Sequence, residues 1–128
     1  MNLKAIATYL QSKRLGTLTQ DIFVTEMPTA CEKGILLMSP YHGTPIDPYL
    51  PGLRETGFRL VSRSRDYDIA EALANKSLAV LTIQAELALK GILVKLCRPV
   101  IEPKPYRRSA GAYWEFEIEF EITYVLTP

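Results

Sequence analysis

The chain has 128 residues, of which 48% are hydrophobic and 23% charged, and its formal net charge is +1. This length suits one domain with a single core, and the composition excludes a disordered chain. The near-neutral charge argues against a dedicated nucleic-acid binder, although it leaves room for a local basic patch.

The first residues lack a secretory signal pattern, and no apolar stretch of the sequence reaches the length of a membrane span. We therefore expect a protein that is soluble and cytoplasmic when made and that has no membrane partner. Cys31 and Cys97 have neither metal-ligand nor redox spacing, so we expect two free thiols in preference to one long-range disulfide.

The first half of the chain begins with an amphipathic pattern over residues 3–15, which predicts a helix ending near Gly16. Short β-rich runs at 22–25 and 35–38 predict two strands. Residues 40–57 are dense in proline and glycine, which predicts a long loop. Loops of this length usually contact another molecule, so we assign this one an interface role.

The second half continues with alternation over residues 58–63, which predicts a strand, followed by a helix from near Asp66 to about residue 81. Asp68 and Glu71 have the spacing of a capping box. Residues 82–89 show no clean period, so their type stays open. A buried strand over 91–98 ends at Pro99, and residues 99–111 read as a basic, extended arm.

The last strand has the clearest pattern in the sequence. From residue 113 to 125, large apolar side chains alternate with carboxylates, which are Glu115, Glu117, Glu119 and Glu121. A period of two sends the apolar set to one face and the carboxylates to the other. Neighbouring carboxylates about 7 Å apart repel by roughly 0.6 kcal/mol in water, which a solvated face tolerates.

The order of these elements is helix, three strands, helix, two strands. It predicts a small single α+β domain over residues 1–128, with a mainly antiparallel sheet and helices packed on one face.

Candidate catalytic residues are few. His42 is the only histidine, and it has no nearby metal-ligand partner, so we read it as a surface residue. Asp66 and Asp68 fit helix-start roles better than a metal cluster with Asp47. Side chains on a flat strand face do not converge on one cation, and no phosphate loop or nucleophile motif is present. We expect no enzyme, no cofactor and no metal.

One stretch resembles a known family. Residues 57–63, Gly-Phe-Arg-Leu-Val-Ser-Arg, lead into residues 66–74, Asp-Tyr-Asp-Ile-Ala-Glu-Ala-Leu-Ala, after a Gly/Pro loop and before a late Trp/Phe strand. This resembles the tail-terminator proteins of long-tailed bacteriophages and the related minor capsid and tail-completion proteins. The chain departs from the family pattern in the second arginine, Arg65, and in the basic 99–111 segment.

The resemblance implies a structural virion protein that forms a ring, typically of six copies. Such a ring caps the tail tube, meets the head-completion or connector proteins and lets double-stranded DNA pass through its centre. It would be found in the virion tail or neck and in the host cytoplasm during assembly.

The ring suggests roles for the charged residues. Our hypothesis is that the four glutamates line the channel and repel the phosphates of DNA, while an ordinary solvated face or one paired with a neighbour's arginines is the alternative. We expect contacts between subunits or partners at seven residues: Tyr49, Arg59, Arg63, Arg65, Tyr106, Arg107 and Arg108.

Two other functions stay open. A head-completion or neck ring component is the nearest variant of the structural role. A small non-enzymatic nucleic-acid-binding domain would use the arginines of residues 58–65 and Arg107 on phosphates, but its aromatic row lies on the face that the core requires.

Overall fold

The computed structural model describes residues 1–40, 43–105 and 113–128. In these ranges the chain forms two helices and seven strands, which in chain order are α1 Leu3–Ser12, β1 Ile22–Val24, β2 Lys33–Met38, β3 Leu53–Ser64, α2 Tyr67–Leu81, β4 Leu87–Leu89, β5 Ile92–Pro99, β6 Lys104–Pro105 and β7 Trp114–Leu126. The strands make one sheet in the order β1-β2-β3-β7-β5-β4, and β6 pairs with β7.

The alternating strand β7 lies at the centre of this sheet. It pairs antiparallel with β3 along the whole of Leu53–Ser64 and with β5 on its other side. The β1–β2 pair is parallel, so the sheet is mixed but mostly antiparallel. The α+β expectation is confirmed. Two strands are additional to it: β4 lies in the stretch whose type was open, and β6 lies in the basic arm.

Both helices pack into the same core as the apolar face of β7. Helix α1 contacts β1 and β2 near one edge of the sheet and β4 at the other edge, so the sheet curls around it. The large side chains with almost no exposure include Phe58, Phe116, Phe120 and Tyr124. Stacked Phe58 and Phe120 rings, with centroids 5.0 Å apart, join the two longest strands at the centre. This burial supplies most of the stabilisation of the fold.

Helix α2 starts two residues earlier than a capping box on Asp68 would require. The Asp66 carboxylate is the N-cap and accepts hydrogen bonds from the backbone N–H groups of Asp68, at 2.9 Å, and Ile69, at 3.4 Å. The capping-box prediction is therefore wrong, because the Asp66 side chain already caps the first free backbone N–H groups of the helix. The Ser62 hydroxyl donates to the Ala70 carbonyl at 2.8 Å and ties this helix to the sheet.

The Pro/Gly loop ends earlier than its composition predicts. Strand β3 begins at Leu53, which pairs with Val125, so residues 53–57, the last five of the stretch, belong to a strand and not to the loop. Pairing with β7 overrides the weak strand propensity of this stretch. A Cβ at Gly57 would lie 2.9 Å from the Phe120 carbonyl oxygen, so glycine permits a close approach of the two strands there. Tyr41 and His42 lie outside the described residues.

Two smaller expectations are answered as well. Both Cys31 and Cys97 carry free thiols, as expected. In the described ranges, neither helix is long and apolar enough to cross a membrane.

Candidate functional site

The carboxylates of β7 project from the face of the sheet that is opposite to the core. Strand register places arginines of the neighbouring strands beside them: Arg63 lies opposite Glu115, Arg59 opposite Glu119, and Arg98 of β5 opposite Glu121. We call this surface the charged face. Its members are Arg59, Arg63, Arg98, Lys104, Glu115, Glu117, Glu119 and Glu121.

The pair at the start of β7 is well shielded from water. Arg63 donates from Nε and from Nη2 to Oε2 of Glu115, both at 3.2 Å. The two side chains are only 14% and 20% exposed. The guanidinium carbon of Arg63 also lies 5.1 Å from the ring centroid of buried Tyr113. This arginine is therefore held by its own chain from two sides.

Glu117 lies between two cations. Arg59 Nη1 is 3.4 Å from Oε1, and Lys104 Nζ is 3.7 Å from Oε2. The residue is only 3% exposed. The expectation of a solvated carboxylate is wrong at this position, because β6 pairs with β7 here and brings Lys104 alongside. Burial of a carboxylate is tolerated only when it is paired and hydrogen-bonded, which this arrangement provides.

The second half of the glutamate series is open to solvent. Glu119 and Glu121 are both exposed. Arg98 donates from Nη2 to Oε2 of Glu121 at 2.6 Å. Glu119 has no ion pair with any residue that the structure describes. The charged face is thus an alternating array of opposite charges, which removes most of the self-repulsion that the sequence implied.

Arg65 lies just beyond the end of β3. It makes an exposed ion pair with Glu32 at 3.5 Å and lies over the Tyr113 ring. A hydrogen bond with Tyr113, and next the charge of Glu32, raise the pKa of Arg65 above its ordinary value. Three predicted interface residues of this region therefore form ion pairs within their own chain, namely Arg59, Arg63 and Arg65. Their role between subunits stays a prediction.

Among the described residues, the loop before β3 carries the most exposed large apolar side chains. Tyr49 is 90% exposed, Ile46 62% and Leu50 54%. The Asp47 carboxylate accepts the Tyr49 N–H at 2.8 Å and orders this turn. We call Ile46, Tyr49 and Leu50 the apolar apex. The sequence analysis did not identify Ile46 and Leu50 as surface residues. The available signal was their position as apolar residues between closely spaced prolines.

Several predicted site residues remain unplaced. Tyr106, Arg107 and Arg108 lie outside the described residues, so their interface roles stay predictions.

No group of three or more His, Cys, Asp or Glu side chains within the described ranges is arranged to hold a metal ion.

Comparison with known proteins identifies the family. A family model described as bacteriophage tail terminator protein matches residues 9–126. The chain belongs to the bacteriophage tail terminator family. The fold of this tail terminator is similar to that of a solved chain described as "Virion of native gene transfer agent (GTA) particle", with a TM-score of 0.69. The two sequences are 14% identical, and the alignment covers 98% of this chain and 95% of the other. No curated protein matches the sequence.

The resemblance seen in the sequence is therefore confirmed at the level of the family. Tail terminators are structural and not enzymatic proteins, so this chain has a structural role in the virion tail.

Proposed function

We propose that this tail terminator forms a closed ring of six copies. The ring would end the tail tube, meet the head-completion or connector proteins on its other side and let the genome pass through its centre. The observation that carries the proposal is the family match over residues 9–126. In this proposal the copies bind one another, the tail tube protein and a head-side protein.

Association between copies is supported by the apolar apex. A small domain that exposes Ile46, Tyr49 and Leu50 together on one ordered turn leaves a large apolar surface in water. Such clusters usually mark a surface that another protein covers. Tyrosine at the centre of an interface is also among the residues that contribute most to affinity. We therefore place Tyr49 in the contact between copies.

Passage of DNA is supported by the charge arrangement of β7. Arg63 neutralises Glu115, while Arg59 and Lys104 neutralise Glu117. In our proposal the exposed half of the series, Glu119 and Glu121, faces the channel. Each copy would then add one carboxylate, Glu119, that has no ion partner among the described residues. A wall with a weak negative charge repels phosphates and gives the duplex nothing to bind.

Native mass spectrometry at low and high ionic strength tests the ring directly. We expect a species of six copies of the 14.4 kDa chain. Its population should fall as salt screens the contacts between charged groups. A chain that stays monomeric at every concentration and ionic strength would contradict the proposal. Binding of the purified ring to isolated tail tubes, and not only to heads, would separate a tail terminator from a neck component.

The structure favours this role over nucleic-acid recognition. Arg59 and Arg63, which a nucleic-acid-binding domain would direct at phosphates, contact carboxylates of their own chain. Titration with a single-stranded oligonucleotide at physiological salt distinguishes the two functions. We expect no measurable binding, and saturable binding would favour the nucleic-acid-binding alternative.

A further inference from the structure

A cleft opens between helix α1 and the turn that joins β4 to β5. Its volume is about 590 Å³, and the apolar part of its wall includes Ala5, Tyr9 and Leu89. The side chain of Asn2 donates from Nδ2 to the Lys90 carbonyl at 3.1 Å and so ties the start of the helix to the turn. We call this site the α1 cleft. It has a fixed shape that a segment of another molecule can fill.

Positive charge surrounds the α1 cleft. Lys4 and Lys90 are exposed in its lining, and the described residues that line it include no carboxylate. Lys13 Nζ lies 5.5 Å from the ring centroid of Tyr9, which belongs to the same wall. None of the three lysines has an ion pair with a carboxylate in the described part of the chain. The cleft therefore suits a partner segment that is both apolar and negatively charged.

The connection between β5 and β6 projects from the edge of the sheet. Pro99 pairs with Phe120, and Lys104 pairs with Glu117. The connection is thus two residues longer than the stretch of β7 that it passes, so it must bulge outwards. Prolines at positions 99 and 103 restrict its backbone, which lowers the entropy that binding would cost. We call residues 99–103 the proline ridge.

The proline ridge has the chemistry that the α1 cleft suits. Val100 is 46% exposed and Ile101 is 38% exposed. Glu102 is exposed on the ridge, and exposed Glu71 of α2 lines the same recess beside it. Neither carboxylate has an ion pair with any residue in the described ranges. The ridge therefore presents two apolar side chains next to two carboxylates that lack a cation there.

We propose that the proline ridge of one copy fills the α1 cleft of the next copy. The apolar side chains of the ridge pack on the apolar wall of the cleft, and its two carboxylates face Lys4 and Lys90. Burial of the apolar surface stabilises the contact, while the opposite charges fix its register. This inference rests on the proposed ring.

The ridge and the cleft are too far apart to meet within one chain. The N–H of Val100 donates to the Glu119 carbonyl at 2.8 Å, whereas Ile92, next to the turn of the cleft, pairs with Leu126. Positions 119 and 126 are seven residues apart along β7, which corresponds to about 23 Å. A glutamate and a lysine side chain together span only on the order of 12 Å. The cleft can therefore receive a ridge only from another copy.

The α1 cleft lies at the same end of the domain as the apolar apex. The N–H of Leu126 donates to the Gly52 carbonyl at 2.9 Å, and the N–H of Thr127 donates to the Gly91 carbonyl at 3.0 Å. The end of the chain thus joins the loop of the apex to the turn of the cleft. A contact between this end and the ridge joins two unlike surfaces, and repeating such a contact gives a ring when the rotation closes.

Exchange of charge between the two surfaces tests the inference by sedimentation velocity. The cleft variant carries Lys4→Glu and Lys90→Glu, and the ridge variant carries Glu71→Lys and Glu102→Lys. We expect each variant alone to need at least about tenfold more protein than the wild type to reach the same oligomer fraction. An equal mixture should restore the oligomers, because each joint then brings opposite charges together again.

Matched controls change the same number of charges elsewhere. Glu26→Lys with Glu32→Lys, and Lys33→Glu with Lys76→Glu, alter exposed residues outside both surfaces and should leave assembly unchanged. Circular dichroism checks the fold of each variant.

The apolar half of the contact has a test of its own. Val100→Ser with Ile101→Ser should weaken assembly about as much at high salt as at low salt, because it removes apolar surface and no charge. The loss caused by the charge variants should shrink as salt screens it. Wild-type assembly by the serine variant would overturn the inferred contact.

The outcomes separate this inference from the proposed function. Wild-type oligomers that neither charge variant weakens, or that the mixture fails to restore, would overturn the inferred contact and leave the ring intact. If rings of the cleft variant then fail to bind isolated tail tubes, the cleft faces the tube protein instead of a second copy. Wild-type protein that remains monomeric at every concentration would contradict both the ring and the contact.

Discussion

At the scale of single residues, Glu117 shows how a strand can contain a buried carboxylate. Its two oxygens face different cations, Arg59 and Lys104, and the residue is almost completely buried. The cations themselves are partly exposed, so water retains access to them. The pairing therefore offsets the cost of burying the carboxylate and fixes β6 against β7.

The substitution Glu117→Gln tests this arrangement. It preserves the size of the side chain but removes the charge that both cations face, so we expect the free energy of unfolding to fall by about 1–3 kcal/mol. Urea denaturation measures the change. Glu119→Gln on the same strand is the control and should change it by less than about 0.5 kcal/mol. Equal effects of the two substitutions would show that the ion pairs of Glu117 with Arg59 and Lys104 add no stability.

Cys97 gives a prediction for alkaline pH. Burial raises the pKa of its thiol from 9.0 to about 12. Above pH 9.0 the unfolded chain loses this proton while the folded chain keeps it, so stability falls as pH rises from 9.0 towards 12, by up to about 1.4 kcal/mol per pH unit. Cys97→Ala should reduce that slope. An unchanged slope in the variant would assign the pH dependence to other groups, such as Tyr124, whose pKa burial also raises.

At the scale of elements, the start of α2 depends on one side chain. The Asp66 carboxylate accepts two backbone N–H groups, while Asp68 adds only a negative charge to the first turn. We expect Asp66→Ala to reduce the free energy of unfolding by about 1 kcal/mol and Asp68→Ala by less than half of that. Chemical denaturation compares the two variants. A larger effect at Asp68 would restore the capping-box prediction.

The elements also show what sequence can and cannot reveal. Strand β7 and helix α2 were predictable because their periods of two and 3.6 persist over many residues. Strands β4 and β6, with three and two residues, are too short to carry a period. The burial of Glu117 was unpredictable for the same reason, since it depends on β6 lying beside it. Tyr49 was identifiable as an aromatic residue in a long loop. The ion pairs of Arg63 and Arg98 with the glutamates of β7 were not, because they depend on strand register.

At the scale of the whole molecule, the apolar apex and the charged face divide the surface into regions of different chemistry. The apex should stabilise contacts between copies through burial, while charges set their register. Two unlike surfaces are compatible with the head-to-tail contacts of the proposed ring.

Truncation of the apex provides a prediction for assembly. Tyr49→Ser removes an aromatic ring that is 90% exposed. We expect it to raise the concentration needed for oligomers about tenfold or more without lowering the stability of the domain. Leu96→Ser, at another exposed apolar position, is the control. Analytical ultracentrifugation measures both variants. Equal assembly of the wild type and Tyr49→Ser would remove the apex from the interface.

Electron microscopy of the purified, concentrated protein in negative stain tests the ring most directly. Our account predicts closed rings of six subunits with a central opening wide enough for a DNA duplex. Open filaments, or compact monomers at every concentration, would contradict it.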